Sequence, residues 1–178
     1  KDTGVVGSLL LYPDYKIQHA GISLGLNQIC DHPDKGFSRF SKKDLPHINH
    51  PRSVTAVTGA CLLIKKETFL ELGGMNPLFA EAFNDIDLCL RVRKKGYNII
   101  CTPHSSILHY ESISIGEPLS DSRRSTFRKE IDLFLKMHKE SIDNEAFYSN
   151  NFSQNPPYYH LAKPPRNKFN WRPFQNKK

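Results

Sequence analysis

Two aspartates stand at the start of a helical pattern, Asn84-Asp85-Ile86-Asp87, downstream of a glycine-interrupted apolar run, Val57-Thr58-Gly59-Ala60-Cys61-Leu62. Carboxylates in a first helical turn lie at the positive end of the backbone dipole, which favours their ionised form and fixes their direction. Asp85 is on that ground a candidate general base. Asn84 reads as the N-cap, Ile86, Cys89 and Leu90 as the apolar face, Arg91 to Lys95 as the basic C-terminal turn and Gly96 as a left-handed exit. Asp87 lies about 200° further round a helix of 3.6 residues per turn, so the pair is poorly placed to chelate one ion and should do two different jobs. The plainer reading is that both acids only complement the dipole.

The other chemistry-bearing residues are imidazoles. His109, after an apolar stretch and before Tyr110-Glu111-Ser112, is a candidate metal ligand at a strand end, and His19, between Gln18 and Ala20-Gly21, has the same status. Structural hydrogen bonding is the simpler role for either. Cys30, His32, His47 and His50 offer one thiolate and three imidazoles, but their spacing fits no usual structural-zinc pattern. No Walker or Rossmann glycine loop, Gly-x-Ser-x-Gly elbow or His-Glu-x-x-His is present, which disfavours those enzyme classes.

These residues need elements to hold them. Val5 to Leu11 reads as a buried strand, Tyr12 to Tyr15 as a turn and Lys16 to Leu24 as a second strand, giving a hairpin-like opening. From Asn27 to Arg52 periodicity disappears into a long loop of the functional or mobile kind. Ser53 to Ile64 returns as a strand interrupted at Gly59, and a short helix over Lys66 to Leu72 closes on Gly73-Gly74. After the helix from Asn84 come two short strands, Tyr97 to Cys101 and Ser106 to Tyr110, separated by Pro103. Ser122 to His138 carries a stripe of Phe127, Ile131, Phe134, Leu135 and His138, expected to pack back on the sheet. This alternation argues an α/β fold.

The 178 residues suffice for one core, and twelve prolines with 38% hydrophobic residues imply long irregular segments. Six of the seven net positive charges belong to Lys163, Arg166, Lys168, Arg172, Lys177 and Lys178, so the body is nearly neutral and no nucleic-acid partner is expected. The aromatic and basic tail reads as a flexible or docking segment that offers contact with a membrane surface. The four cysteines form no Cys-x-x-Cys pair, and buried free thiols are expected. No apolar run approaches the roughly eighteen residues of a membrane span, so a cytoplasmic location, at the inner membrane face, is expected.

Val57-Thr58-Gly59-Ala60-Cys61-Leu62-Leu63-Ile64, Gly73-Gly74, Phe83-Asn84-Asp85-Ile86-Asp87-Leu88-Cys89-Leu90-Arg91 and Leu108-His109-Tyr110-Glu111-Ser112 resemble the C-terminal half of the GT-A family of inverting glycosyltransferases, in its rhamnosyltransferase-like branch. Leu10 to Asp14, Ile17 to Gly21 and Phe147 to Ser153 resemble the same branch, so the likeness runs over residues 3 to 155 in order. It implies a mixed sheet with flanking helices over 1–155 as the acceptor-side part of a catalytic domain, followed by a basic Pro/Asn-rich tail over 156–178. It implies Asp85 as the base, with Asn84 where many relatives have Glu. Gly59, Asn84, Asp87, Arg91 and His19 would bind substrate, and His109 would complete the coordination of a divalent cation, Mg2+ or Mn2+, in the complete enzyme. The partners so implied are a nucleotide-sugar donor, a saccharide or lipid-linked saccharide acceptor, and an N-terminal nucleotide-binding half of the same polypeptide, without which this part is expected to be inactive. A non-catalytic carbohydrate-binding or interaction module that keeps half of the fold is the alternative.

Overall fold

A continuous apolar run with glycines at Gly4 and Gly7 suits a strand buried on both faces, and it forms the centre of the sheet. The computed structural model describes residues 2–40, 46–110 and 121–166. Strand β1 (Thr3–Leu11) pairs antiparallel with β2 (Ile17–His19) along its C-terminal end and with β6 (Leu62–Ile64) along its N-terminal part. On its other side it runs parallel to β7 (Asn98–Leu108), which is flanked in turn by antiparallel β5 (Arg52–Val54). The result is a mixed five-stranded sheet, as the α/β reading expects. A separate two-stranded ribbon joins β3 (Ser23–Leu24) to β4 (Cys30–Asp31), so the expected second strand is split between two sheets. The left-handed Gly21, φ +116°, turns the chain between them.

Two expected breaks differ. The strands on either side of Pro103 are one, because the sheet absorbs the proline in a bulge: Thr102 pairs with Ser8 and Ser106 with Leu9, leaving residues 103–105 outside the backbone register. A residue that lacks an N–H is tolerated where the ladder is already interrupted. Conversely, Ser53 to Ile64 is not one strand, since residues 55–61 leave the sheet as a loop over the end of β1. Gly7 sets the depth of that loop: a β-carbon there would lie 2.6 Å from Cβ of Val57, so only glycine lets Val57 seat against the strand.

Among the described residues there are four α-helices, α1 (Lys66–Glu71), α2 (Asn84–Lys94), α3 (Asp121–Met137) and α4 (Lys139–Asp143). Burial of Ile86, Asp87, Leu88, Cys89, Leu90 and Val92 makes α2 the most enclosed of them, packed in the main core with Val5, Ile99 and Cys101. Its basic last turn and the left-handed Gly96 close it as the sequence suggests. Its start differs. Asn84 is already helical, and the preceding residue is Phe83 at φ +63°. A bulky side chain in that region costs about 1–3 kcal/mol and persists only when its surroundings fix it.

The surroundings come from α3. The expected stripe does turn inward, with Phe127 and Ile131 packed on the main core and Phe134 buried in it, but the face also buries Glu130, and with His138, just beyond the helix end, it lies across the start of α2. Phe134 stacks on Phe83 with centroids 4.7 Å apart and meets Phe79 edge-on. Beyond α4 the chain does not become a free tail at residue 155. Phe152 bridges Leu161, Tyr148 and Tyr159 pack together, and Arg166 donates to the Phe152 carbonyl, so residues 156–166 belong to the packed unit. The remaining tail, 167–178, lies outside the described residues, as does the segment 111–120 that follows His109. Among the described residues, no helix is long and apolar enough to cross a membrane.

Candidate active site

Asp85 projects from the first turn of α2 toward the loop 55–61. Its Oδ2 accepts the Gly59 N–H at 2.7 Å, and its Oδ1 accepts the Ile86 N–H at 2.8 Å. A β-carbon added at Gly59 would stand 3.4 Å from Cβ of Asp85, in ordinary contact, so the glycine keeps the approach to this carboxylate open rather than relieving backbone strain. Asn84 turns its Oδ1 to the Asp85 N–H at 2.7 Å and so helps hold the turn.

Asp87, two residues on, faces the opposite way. It is fully buried, with Oδ2 2.7 Å from Arg91 Nε and Oδ1 2.9 Å from His138 Nε2. Arg91 spends the rest of its guanidinium on the carbonyls of Leu72 and Gly74. Asp87 and Arg91 therefore tie α2 to His138, just beyond α3, and to the Gly73-Gly74 turn; Asp87 is enclosed there, whereas Arg91 lines a recess of about 220 Å³ with residues 72–77. Burial alone would push the Asp87 carboxyl up. The hydrogen bonds from His138 and Arg91 outweigh it and hold the group below its ordinary 3.8.

The imidazoles meet at the C-terminal ends of the parallel strands β1 and β7, where a recess of about 110 Å³ is lined by Gln18, His19, His32, Lys35, Thr58 and His109, among others. His109, just beyond β7, is fixed by its N–H to the Leu11 carbonyl and by Gln18, whose amide accepts from Nδ1 at 2.6 Å and donates to the His109 carbonyl. His19 is 1% exposed. Its Nε2 accepts the Thr58 N–H at 3.4 Å, which puts its proton on Nδ1, donated to His32 Nδ1 at 2.9 Å. Thr58 and Ala60 line this recess while Gly59 between them holds Asp85, so the base candidate and the histidines share one loop.

Burial, with the His32 and Arg52 charges, holds the His19 pKa well below its ordinary 6.5. Below pH 6.5 the unfolded chain takes up a proton that the folded chain refuses, so His19 costs stability progressively as pH falls. Chemical denaturation of His19→Gln should show a shallower loss of stability below pH 6.5 than the wild type. An identical slope would mean that His19 titrates normally in the fold.

For a divalent cation, His109 is oriented as metal-binding imidazoles commonly are, with Nδ1–H given to an amide oxygen and Nε2 left as the remaining donor atom. No three His, Cys, Asp or Glu side chains converge on a common point among the described residues, so these do not by themselves make a cation site through which a chemical step could run. The zinc combination fails on the same ground, with His32 on His19 and His47 on Asp34.

Several residues that hold the site carry no pattern in the sequence. Asp34, 1% exposed, accepts from Arg52, His47 and the Tyr159 hydroxyl, pinning the segment read as a mobile loop. Glu145 accepts from the Leu24 N–H and the Thr55 hydroxyl, fastening the base of the 55–61 loop. Glu130 holds the three residues before Phe83. A charged residue inside the Phe127, Phe134, His138 stripe was the available signal for Glu130.

No family model matches the chain. It is 36% identical over 167 residues, 90% of its length, to "Uncharacterized protein y4gI" of Sinorhizobium fredii, of which it spans 18%. Over 117 residues, 64% of the chain, it is 32% identical to "O-antigen biosynthesis protein RfbC" of Myxococcus xanthus, of which it spans 9%. Over 65 residues, 36% of the chain, it is 31% identical to "N-acetylglucosaminyl-diphospho-decaprenol L-rhamnosyltransferase" of Mycobacterium tuberculosis, of which it spans 21%. The chain thus covers less than a quarter of each of these relatives.

Proposed function

We propose that this chain is the acceptor-side part of a nucleotide-sugar glycosyltransferase of the inverting GT-A kind, with Asp85 as the base. The single observation that carries the reading is the Asp85 carboxylate, presented on the N-terminus of a buried helix, hydrogen-bonded to the Gly59 loop and beside a recess at the C-terminal ends of two parallel strands. Ligands of open α/β sheets bind outside such strand ends. Likeness to proteins named for O-antigen biosynthesis and rhamnosyl transfer supports the substrate class.

A saccharide hydroxyl becomes a competent nucleophile when a positioned carboxylate takes its proton as the bond to the anomeric carbon forms. Asp85 would do this, aimed by its hydrogen bond from the Gly59 N–H. In-line displacement of the nucleoside diphosphate then inverts the anomeric centre. His19, His32 and His109 would line the site beside the reacting groups, and a second recess of about 320 Å³, sharing His32 and Lys35 with the first and walled by Phe37, Pro157 and Tyr158, would take the acceptor's next ring. A Mg2+ or Mn2+ ion, if the complete enzyme uses one, would be met at this recess by Nε2 of His109. Such a protein works on the cytoplasmic side of a membrane that displays the acceptor.

The test is release of nucleoside diphosphate from a panel of nucleotide sugars, L-rhamnosyl donors included, by the full-length polypeptide with and without N-acetylglucosaminyl-diphospho-lipid. Release that depends on acceptor is expected. Saccharide binding with no release from any donor would overturn the enzyme reading in favour of a non-catalytic module.

A further inference from the structure

Nothing in the carboxylate chemistry of Asp85 requires the unusual backbone just before it, yet Phe83 enters α2 at φ +63°. Without that left-handed residue the chain would join the helix along another path, and the first turn would face elsewhere. What imposes it lies on one helix. Phe127 and Phe134 of α3 lie nearly parallel to the Phe83 ring, at 6.0 and 4.7 Å. One turn before Phe134, the Glu130 carboxylate accepts N–H bonds from Ala80 at 2.8 Å, Glu81 at 3.1 and 3.2 Å, and Ala82 at 2.8 Å.

Glu130 is 3% exposed, and its described partners are all backbone amides. Burying a carboxylate is costly, and a helix that needed only to pack would carry an apolar residue there. Three successive amides turned to one point need acceptor oxygens, here the two of Glu130, which an apolar side chain cannot supply. The carboxylate also acts at the right place. Ala82, the last amide it holds, immediately precedes Phe83, and two residues further Asp85 reaches Gly59.

We infer that Glu130 is a positioning residue: by gathering the amides of Ala80, Glu81 and Ala82 it forces the left-handed turn at Phe83 that aims Asp85 at the Gly59 loop. The inference deepens the reading of Asp85 as base and rests on it. Glu130 itself touches no substrate; it works through the backbone of residues 80–85. The exposed Arg123–Glu81 ion pair braces the same three residues from outside.

Hydrogen exchange followed by NMR tests this, with Glu130→Gln as the variant, because glutamine keeps the shape but turns an NH2 group toward amide donors. Exchange at Ala80, Glu81 and Ala82 should accelerate about tenfold or more, and Gly59, which does not touch Glu130, should accelerate with them. In the full-length enzyme kcat should fall about tenfold, the scale of a small misplacement of a catalytic group, while donor KM stays within about twofold. Faster exchange at Ala80 to Ala82 with Gly59 and kcat unchanged would overturn the inference and leave Glu130 a packing clamp. If Glu130→Gln does not fold, the wild-type protein decides: Gly59 and Ala82 should open together with the same denaturant dependence, and independent opening is the contrary result. Gly59 following Glu130 while Asp85→Asn keeps full turnover would remove the base assignment and leave the coupling standing.

Discussion

Asp85→Asn is expected to lower turnover of the full-length enzyme by roughly 10² to 10⁴, the contribution of a positioned general base, and to leave donor affinity nearly unchanged. The geometry makes the substitution informative. In the native site both oxygens accept backbone N–H groups, Gly59 to Oδ2 and Ile86 to Oδ1. An asparagine keeps one of these contacts and nearly the same volume, so α2 and the loop 55–61 stay in place while the proton acceptor is lost. Stopped-assay kinetics with a saturating acceptor separate the two outcomes. A fall in kcat at constant donor KM fits loss of the base, a rise in KM alone fits loss of a binding contact, and turnover equal to wild type removes Asp85 from the chemistry.

The second large effect concerns Asp87 and is one of stability. Asp87→Ala strands Arg91 and His138 beside a buried vacancy, and removing one partner of a buried ion pair costs about 3–5 kcal/mol. For a chain of this size that is a fall in melting temperature of about 10 °C or more. The acid side adds a sign. Because the folded carboxyl titrates below 3.8, its contribution is present at neutral pH and is lost as pH falls from about that value through the folded pKa. Asp87→Asn should therefore be less stable at pH 7 yet lose less on acidification than the wild type. A melting temperature for Asp87→Ala within a degree or two of wild type would mean that the contacts among α2, α3 and the Gly73-Gly74 turn carry no net energy.

The elements most legible in the sequence were those whose local signals agree. β1 is an unbroken apolar run, and α2 has first-turn acids, a basic last turn and a terminal glycine, all consistent with the observed helix. Periodicity misled where tertiary contacts overrode it. Pro103 looked like a strand end because the bulge that accommodates it is a property of pairing with β1. Helix α3 looked like a sheet-packing amphipath because its stripe left out Glu130, a carboxylate on the buried face that is satisfied by backbone amides far away in sequence.

The site was legible to a similar degree. That Asp85 and Asp87 face different ways followed from helical geometry alone, and the recess does bring His19 and His109 together. That Asp87 is buried and that Arg91 is held by it and by two carbonyls did not follow, since the partners His138, Leu72 and Gly74 lie on other elements. The same holds for Asp34, whose buried cluster joins His47 and Arg52 of the aperiodic stretch 27–52 to the distant Tyr159.

Single displacement by an acceptor hydroxyl, with Asp85 as the proposed base, would fix the stereochemistry of the product. Among the described residues that line the recess beside Asp85 none is a carboxylate, so they place no second nucleophile for a covalent glycosyl intermediate. The anomeric configuration of the glycoside formed by the full-length enzyme, read from the one-bond carbon–hydrogen coupling of the new anomeric centre, is therefore the most direct test. Configuration opposite to that of the donor is the predicted result; retention, reproduced with the donor's own configuration verified, would contradict the assignment of Asp85 as the base of a single displacement.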